Sequence, residues 1–272
     1  MARHVNKRFL ALVIGVLIAA TTAFVVLWQM VRITPEEHVD RGHRLWAQDQ
    51  TGLAVVEFGK AVAKNPQDTA LIMLYADMIS QTRTSSPWEA RDYLRAMRLA
   101  WERVLQLEAG NPQAFTNLMD LYMRLGRDVE IFETWRLMFD RCQEALLRRP
   151  DLIEAVRYRG IAQTKQIGQL DVGEEDRLQA KEDLHTALEH DPDDLAVQDD
   201  LIQWHLEEAR IAESRYAAPE LPAQLRNQAR LLSNQMMEHH GDDPDARLYR
   251  CRLLLDLGDQ QAAIPLVDEL ER

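Results

Sequence analysis

Ala54-Val55-Val56-Glu57-Phe58-Gly59-Lys60-Ala61-Val62-Ala63-Lys64-Asn65-Pro66 is the stretch that decides how this chain folds. Ala54, Phe58 and Ala61 stand four and then three residues apart, the spacing of one helix face. A small residue lets a second helix approach closely, and the large ring beside it fills the groove. Pro66 then ends the helix and pushes Asn65 out of helical conformation. Outward from this segment the same sequence of sizes returns. Ala100, Val104, Leu107 and Pro112 repeat its spacing, as do Met138, Cys142, Ala145 and Pro150, and Ala180, Leu184, Ala187 and Pro192. Breakers fall at Asn65-Pro66, Asn111-Pro112, Arg149-Pro150, Asp191-Pro192 and Asp243-Pro244, with Pro-to-Pro intervals of 46, 38, 42 and 52 residues.

The runs between these marks carry a second pattern. Phe115, Leu118 and Tyr122 lead to Leu125-Gly126-Arg127, and Leu248, Cys251 and Leu255 lead to Leu257-Gly258-Asp259; both Leu-Gly steps are predicted turns. Leu71, Leu74 and Met78 form a looser version. Taken together these positions resemble the tetratricopeptide repeat (TPR) family, in which each repeat is a pair of antiparallel helices with small residues at the crossing and a proline near the boundary. The resemblance implies an all-α, tetratricopeptide-like antiparallel helix-pair solenoid over residues 34–272, with five complete or nearly complete pairs. Its expected packing set is Ala54, Phe58, Ala61, Pro66, Ala100, Val104, Leu118, Tyr122, Gly126, Ala145, Ala180, Leu184, Ala187, Pro192 and Gly258. It also implies a concave face suited to a peptide or partner helix, for which Tyr75, Tyr122, Trp135 and Arg157 are the candidate contacts, although packing is the ordinary role of such aromatics.

The repeat is irregular. Ser80 to Pro87 reads as a polar loop, Gly168 to Asp176 as a charged one, and Ser214 to Pro222 as the link to a helix over 228–240 that lacks the usual small residues. The sequence stops at Arg272 just after an apolar helix, where a solenoid ordinarily has a polar cap; the two readings are a continuation beyond it, which is favoured, and a last helix that contacts a partner.

Residues 1–8 form a short basic tail, and Phe9 to Val31 contain no charge over 23 residues. As a helix this stretch would be roughly 34 Å long, enough to cross a hydrocarbon core. Arg3, Lys7 and Arg8 precede it and Glu36, Glu37 and Asp40 follow, which predicts a cytoplasmic N-terminus and an extracytoplasmic body, periplasmic in a bacterium. A cleaved signal peptide is the competing reading, with Ala20-Thr21-Thr22-Ala23 offering small residues. The apolar run continues past them through Leu27, which favours a single transmembrane signal-anchor helix at 9–31 in an inner or plasma membrane.

The formal charge is −12, and because the first 32 residues hold four bases and no acid, the body is more acidic still. Such a body argues against nucleic acid as a partner. Cys142 and Cys251 sit apart in helical runs without metal or haem spacing, and read as buried small hydrophobes. His239, His240, Asp242 and Asp243 make one cluster of metal-capable side chains, and His185, His190 and Asp191 another; neither has ligand spacing, and both read as solvated helix ends. Glu174, Glu175 and Asp176 read as a charged loop rather than as general acids. No glycine-rich phosphate loop or nucleophile elbow is present, so neither catalysis nor a cofactor is expected.

The expected function is that of a non-catalytic, membrane-tethered scaffold or assembly factor whose partners are envelope or membrane-complex proteins. The alternatives are an accessory repeat region of a larger membrane enzyme or secretion component, and a structural protein that associates with itself as a homo-oligomer.

Overall fold

The computed structural model describes residues 16, 20–22, 33–84, 86–128, 132–167, 172–215 and 218–270. Among these residues no helix is long and apolar enough to cross a membrane. Most of the expected anchor at 9–31, and all of the tail at 1–8, lie outside the described residues.

From Pro35 onward the described residues form twelve helices: α1 (Pro35–Ala47), α2 (Thr51–Lys64), α3 (Thr69–Gln81), α4 (Pro87–Leu107), α5 (Pro112–Asp128), α6 (Phe132–Arg148), α7 (Ile153–Ile167), α8 (Glu174–His190), α9 (Leu195–Ser214), α10 (Glu220–His240), α11 (Pro244–Asp256) and α12 (Gln260–Leu270). They make six successive pairs, one more than the sequence count. They divide into two compact units, one ending at Phe115 and the other beginning at Thr116. In the first, α1 packs on α2, α2 on α3 and α3 on α4. In the second, α7 packs on α6, α8 and α9, and α9 also packs on α8, α10 and α11. Contact with the next helix and with the next but one is how a helical repeat buries both sides of each pair.

The connections reuse one piece of turn chemistry. Asp68, Leu152 and Asp194 each donate a backbone N–H to the carbonyl three residues back, on Asn65, Arg149 and Asp191. Pro66, Pro150 and Pro192 occupy the second position of these turns, where the ring's fixed φ is already correct. Asp68 and Asp194 then cap the following helices, accepting the N–H of Leu71 and those of Ala196 and Val197. Pro112 and Pro244 act differently: each is the first residue of a helix, and the turn precedes it, from Glu108 to Asn111 and from His240 to Asp243.

That difference shifts one register. The N–H groups that close α2, α4, α6 and α8 bond to Ala61, Val104, Ala145 and Ala187. Counted from the helix end, Val104 therefore takes the place of Ala61, and Trp101 that of Phe58. Leu107, which the proline spacing had put in the small position, is half-buried instead.

In the first unit the crossing of α1 and α2 follows the small-against-large rule. Phe58 is fully buried, and a Cβ on Gly42 would stand 2.8 Å from its ring. Ala54 and Ala61 are likewise fully buried. In the second unit α10 restores the pattern that the sequence seemed to lack: Ala229, Ser233 and Met236 are buried at the same spacing as Ala54, Phe58 and Ala61, with the large residue last instead of central.

Two expectations need correction. Gly126 is not in a turn but inside α5, where the ring of Trp135 from α6 occupies the space a side chain would take. Glu174, Glu175 and Asp176 are not a loop but the first turn of α8, where carboxylates meet the positive end of the helix dipole. The second Leu-Gly step is a turn as expected. Gly258 has φ +77°, and the N–H groups of Gly258 and Asp259 bond to the carbonyls of Leu255 and Leu254, the closing pattern of a Schellman motif. A Cβ there would touch nothing, so only the backbone opposes it. Gly258→Ala is expected to cost about 1 kcal/mol, read as a fall of roughly 2–4 °C in Tm.

Candidate functional site

Four charged side chains are buried inside the second unit. Asp183, Asp199 and Asp200 are at most 2% exposed, and Arg177 is 4% exposed. Asp183 on α8 accepts both prongs of Arg159 from α7, at 2.6 and 2.8 Å, and a third bond from Gln179 at 3.0 Å. Arg157 on α7 reaches the capping carboxylate of Asp194 at the start of α9, and Lys165 on α7 pairs with Asp200 on α9. Arg177 on α8 bonds Glu208 on α9 and the carbonyl of Val172, while its own carbonyl accepts the Trp204 indole N–H at 2.8 Å. Arg252 on α11 closes the series on Asp199 of α9 at 3.0 Å. Two of the pairs tie α7 to α9 and the others tie α7 to α8, α8 to α9 and α9 to α11, so the ladder runs from α7 to α11.

Such buried pairs contribute little net stability over apolar side chains of equal volume, because desolvation offsets most of the attraction. They do penalise every packing that separates the partners. The ladder therefore fixes which helices stack and in which register.

His205 lies beside this ladder, 6% exposed, with its Nδ1 lacking a hydrogen-bond partner among the described residues. Burial, with Lys181 and His185 nearby, pushes its pKa down to about 4. The folded ring is thus neutral at a pH where an unfolded one, titrating near 6.5, takes a proton. The stability this confers is complete above pH 6.5 and is lost as pH falls from 6.5 through about 4. The loss is expected to reach ~3 kcal/mol. Thermal melts of the wild type and His205→Gln across that range test this: the variant should show a distinctly shallower acid slope.

The surface candidates separate into two kinds. Tyr122 and Trp135 are 1% and 4% exposed, which removes them from any binding surface and makes them packing residues. Tyr75 is half-buried against Gly59, where a Cβ would lie 3.4 Å from the ring. Arg157 is held by Asp194 and stacks over the Tyr158 ring at 4.6 Å. The Tyr158 hydroxyl donates to Asp120 at 2.6 Å.

Among the described residues no three His, Cys, Asp or Glu side chains converge in a way that could hold a metal ion. His240 Nε2 lies 3.2 Å from the Asp193 carboxylate, and the His239 and His240 rings are 6.4 Å apart. Cys142 and Cys251 are free and buried; burial raises the Cys142 thiol pKa far above its ordinary range, which leaves it unreactive.

Open space lies between helices of the second unit. A cleft of ≈ 360 Å³ is bounded by Leu188 and Pro192 at the end of α8, Leu201 on α9, and Leu232, Met236 and His239 on α10. Another of ≈ 480 Å³ opens between α10, α11 and α12. The sequence reading missed both the ladder and the clefts. The one available signal was a charge set within an apolar stripe, as at Asp183 between Ala180 and Leu184.

The geometry defines an all-α helical-repeat protein of the tetratricopeptide-like class. No protein-family model matches the chain, and no curated protein does. Among solved structures it is similar to a tetratricopeptide repeat protein from Parabacteroides merdae, with a TM-score of 0.59 and 14% identity over 87% of this chain and 78% of that one. It is also similar to an IFIT1 monomeric mutant with m7Gppp-AAAA, with a TM-score of 0.52 and 16% identity over 87% of this chain and 50% of the other, so it spans half of that protein's length. Identities this low establish the shared fold and nothing further.

Proposed function

We propose that this chain is a non-catalytic, membrane-tethered scaffold that docks partner proteins on its helical-repeat surface. The observation that carries this reading is the division of labour in the second unit. Buried charges are tied to one another across helices, while clefts with largely apolar walls stay open between the same helices. A framework stiffened inside and grooved outside suits binding rather than proton transfer or nucleophilic attack, which need a reactive group left unpaired and accessible. The acidic body makes nucleic acid a poor partner. The tether rests on the uncharged run at 9–31, and the flanking charges orient the repeats outside the cytoplasm.

The test is crosslinking of the full-length protein in intact membranes, followed by purification and mass spectrometry, with protease accessibility of the repeats measured in sealed vesicles. A small reproducible set of membrane or envelope partners supports the scaffold. Self-crosslinks alone would replace it with a structural oligomer, and recovery in the soluble fraction would remove the tether.

A further inference from the structure

Helices α2 and α4 run side by side in the first unit, in touch near both ends. At one end a Cβ on Gly52 would lie 3.6 Å from the Tyr93 hydroxyl, and at the other Arg103 donates to the Pro66 carbonyl at 3.4 Å. Both helices leave apolar side chains in water. Between Pro35 and Phe115 the exposed large hydrophobics among the described residues are Leu53, Val56, Trp88 and Leu99, at 58%, 52%, 74% and 51%, all on this pair. On α4, Trp88, Arg91, Arg95 and Leu99 follow one another at three, four and four residues, which sets them on one helix face, with Asp92 on the same side. Arg91 stands over the Trp88 ring at 5.9 Å. The ion pairs among the first unit's described residues are those of Glu57 with His38 and Lys60, so Arg83, Arg91, Arg95 and Arg98 pair with no carboxylate there. Those four arginines against Glu89 and Asp92 give residues 83–98 a net charge of +2. The acidity of the chain lies elsewhere: residues 33–115 hold nine bases and eleven acids, whereas residues 116–272 hold 19 and 33, a net −14.

Position and composition together name what covers this face. Three residues, 32–34, separate the uncharged run at 9–31 from α1, so a bilayer crossed by that run lies within about 10 Å of the start of α1. Lys64 at the end of α2 donates to the Ile33 carbonyl, which holds the α2–α4 pair at that entry point. Exposed tryptophan beside unpaired arginine is what a lipid interface accommodates, the indole resting among headgroups and the guanidinium on phosphate. Resting on the tether proposed above, we propose that the face of α4 carrying Trp88, Arg91, Arg95 and Leu99 lies on the bilayer surface, with the indole at headgroup level and both arginines on lipid phosphates, so that the first unit is held flat against the membrane.

The test uses the full-length protein in lipid discs of equal parts phosphatidylcholine and phosphatidylglycerol. Ser86, whose side chain makes no capping bond, is changed in Ser86→Cys and labelled with an environment-sensitive dye; Cys142 and Cys251 are buried and stay unlabelled. Lipid brominated near the headgroup should quench this probe, and acrylamide in the water should not reach it. Arg91→Gln with Arg95→Gln should lower the docked-to-free ratio by roughly 30-fold, and Trp88→Ser should lower it as well. Matching melting curves would show that each variant is folded, which is expected at such exposed positions. A probe open to acrylamide in the discs, or lipid quenching that survives both variants, would overturn the proposal. So would shielding without lipid quenching, which would make a protein or a second copy the occupant. Co-elution with the discs reads the tether by itself. A protein left in solution would remove the tether and this face together, whereas co-elution with an open probe would remove the face alone.

Discussion

Asp183→Ala is expected to destabilise the second unit by about 3–5 kcal/mol, the cost of stripping the partner from a buried charge. Asp183 is 2% exposed and accepts three hydrogen bonds, two of them from Arg159, whose side chain is itself 16% exposed. Removing the carboxylate leaves that guanidinium between α7 and α8 with only a weak contact to Gln143 at 3.5 Å. Guanidinium titration followed by circular dichroism should show a midpoint shift or an early separate phase, since repeat arrays unfold in parts when one interface weakens. Hydrogen exchange should place the loss in α7 and α8. Arg159→Met combined with Asp183→Leu should recover most of it, because two apolar side chains remove the charge and its desolvation together. A single variant with unchanged stability would mean that the pair is solvated and the ladder plays no part in stacking.

Gly126→Ala carries the second large effect, and here two forces oppose each other. Alanine is the better helix former by about 1 kcal/mol, and Gly126 lies within α5, so propensity alone predicts stabilisation. Packing reverses the sign. The added Cβ would lie 2.5 Å from Trp135 Cε2 and 3.0 Å from Cη2, and Trp135 is buried at 4% exposure. An indole ring in a filled core moves only by pushing α5 and α6 apart, which costs about 1–3 kcal/mol. Gly110→Ala is the control: a Cβ there meets nothing within 4 Å, and the variant should melt at or slightly above the wild type. Gly126→Ala with Trp135→Leu should be less destabilising than the sum of the two, since the smaller side chain vacates the contested space.

These two variants also mark where sequence reading stopped. Helix positions and most of their ends were legible. The face formed by Ala54, Phe58 and Ala61, the turns at Pro66, Pro150 and Pro192 and the positive φ of Gly258 all follow from residues a few positions apart. A 3.6-residue period and a proline's fixed φ act locally, whatever the rest of the chain does.

The tertiary structure decided what those local rules leave open. Gly126 has the sequence context of a turn, and only the ring of Trp135 shows that it is a helix contact. Leu107 followed the proline spacing, and only the helix-closing bond to Val104 shows the three-residue offset. Asp183, Asp199 and Asp200 look like solvated helix positions until Arg159, Arg252 and Lys165 are brought against them. The sequence by itself determined that this protein is a chain of paired helices with an uncharged N-terminal run and an acidic body. Which charges are buried and which small residues are crossings were settled by stacking alone. The reason is distance along the chain: the partners are 24 residues apart for Arg159 and Asp183 and 53 for Arg252 and Asp199, far beyond any period a helix imposes.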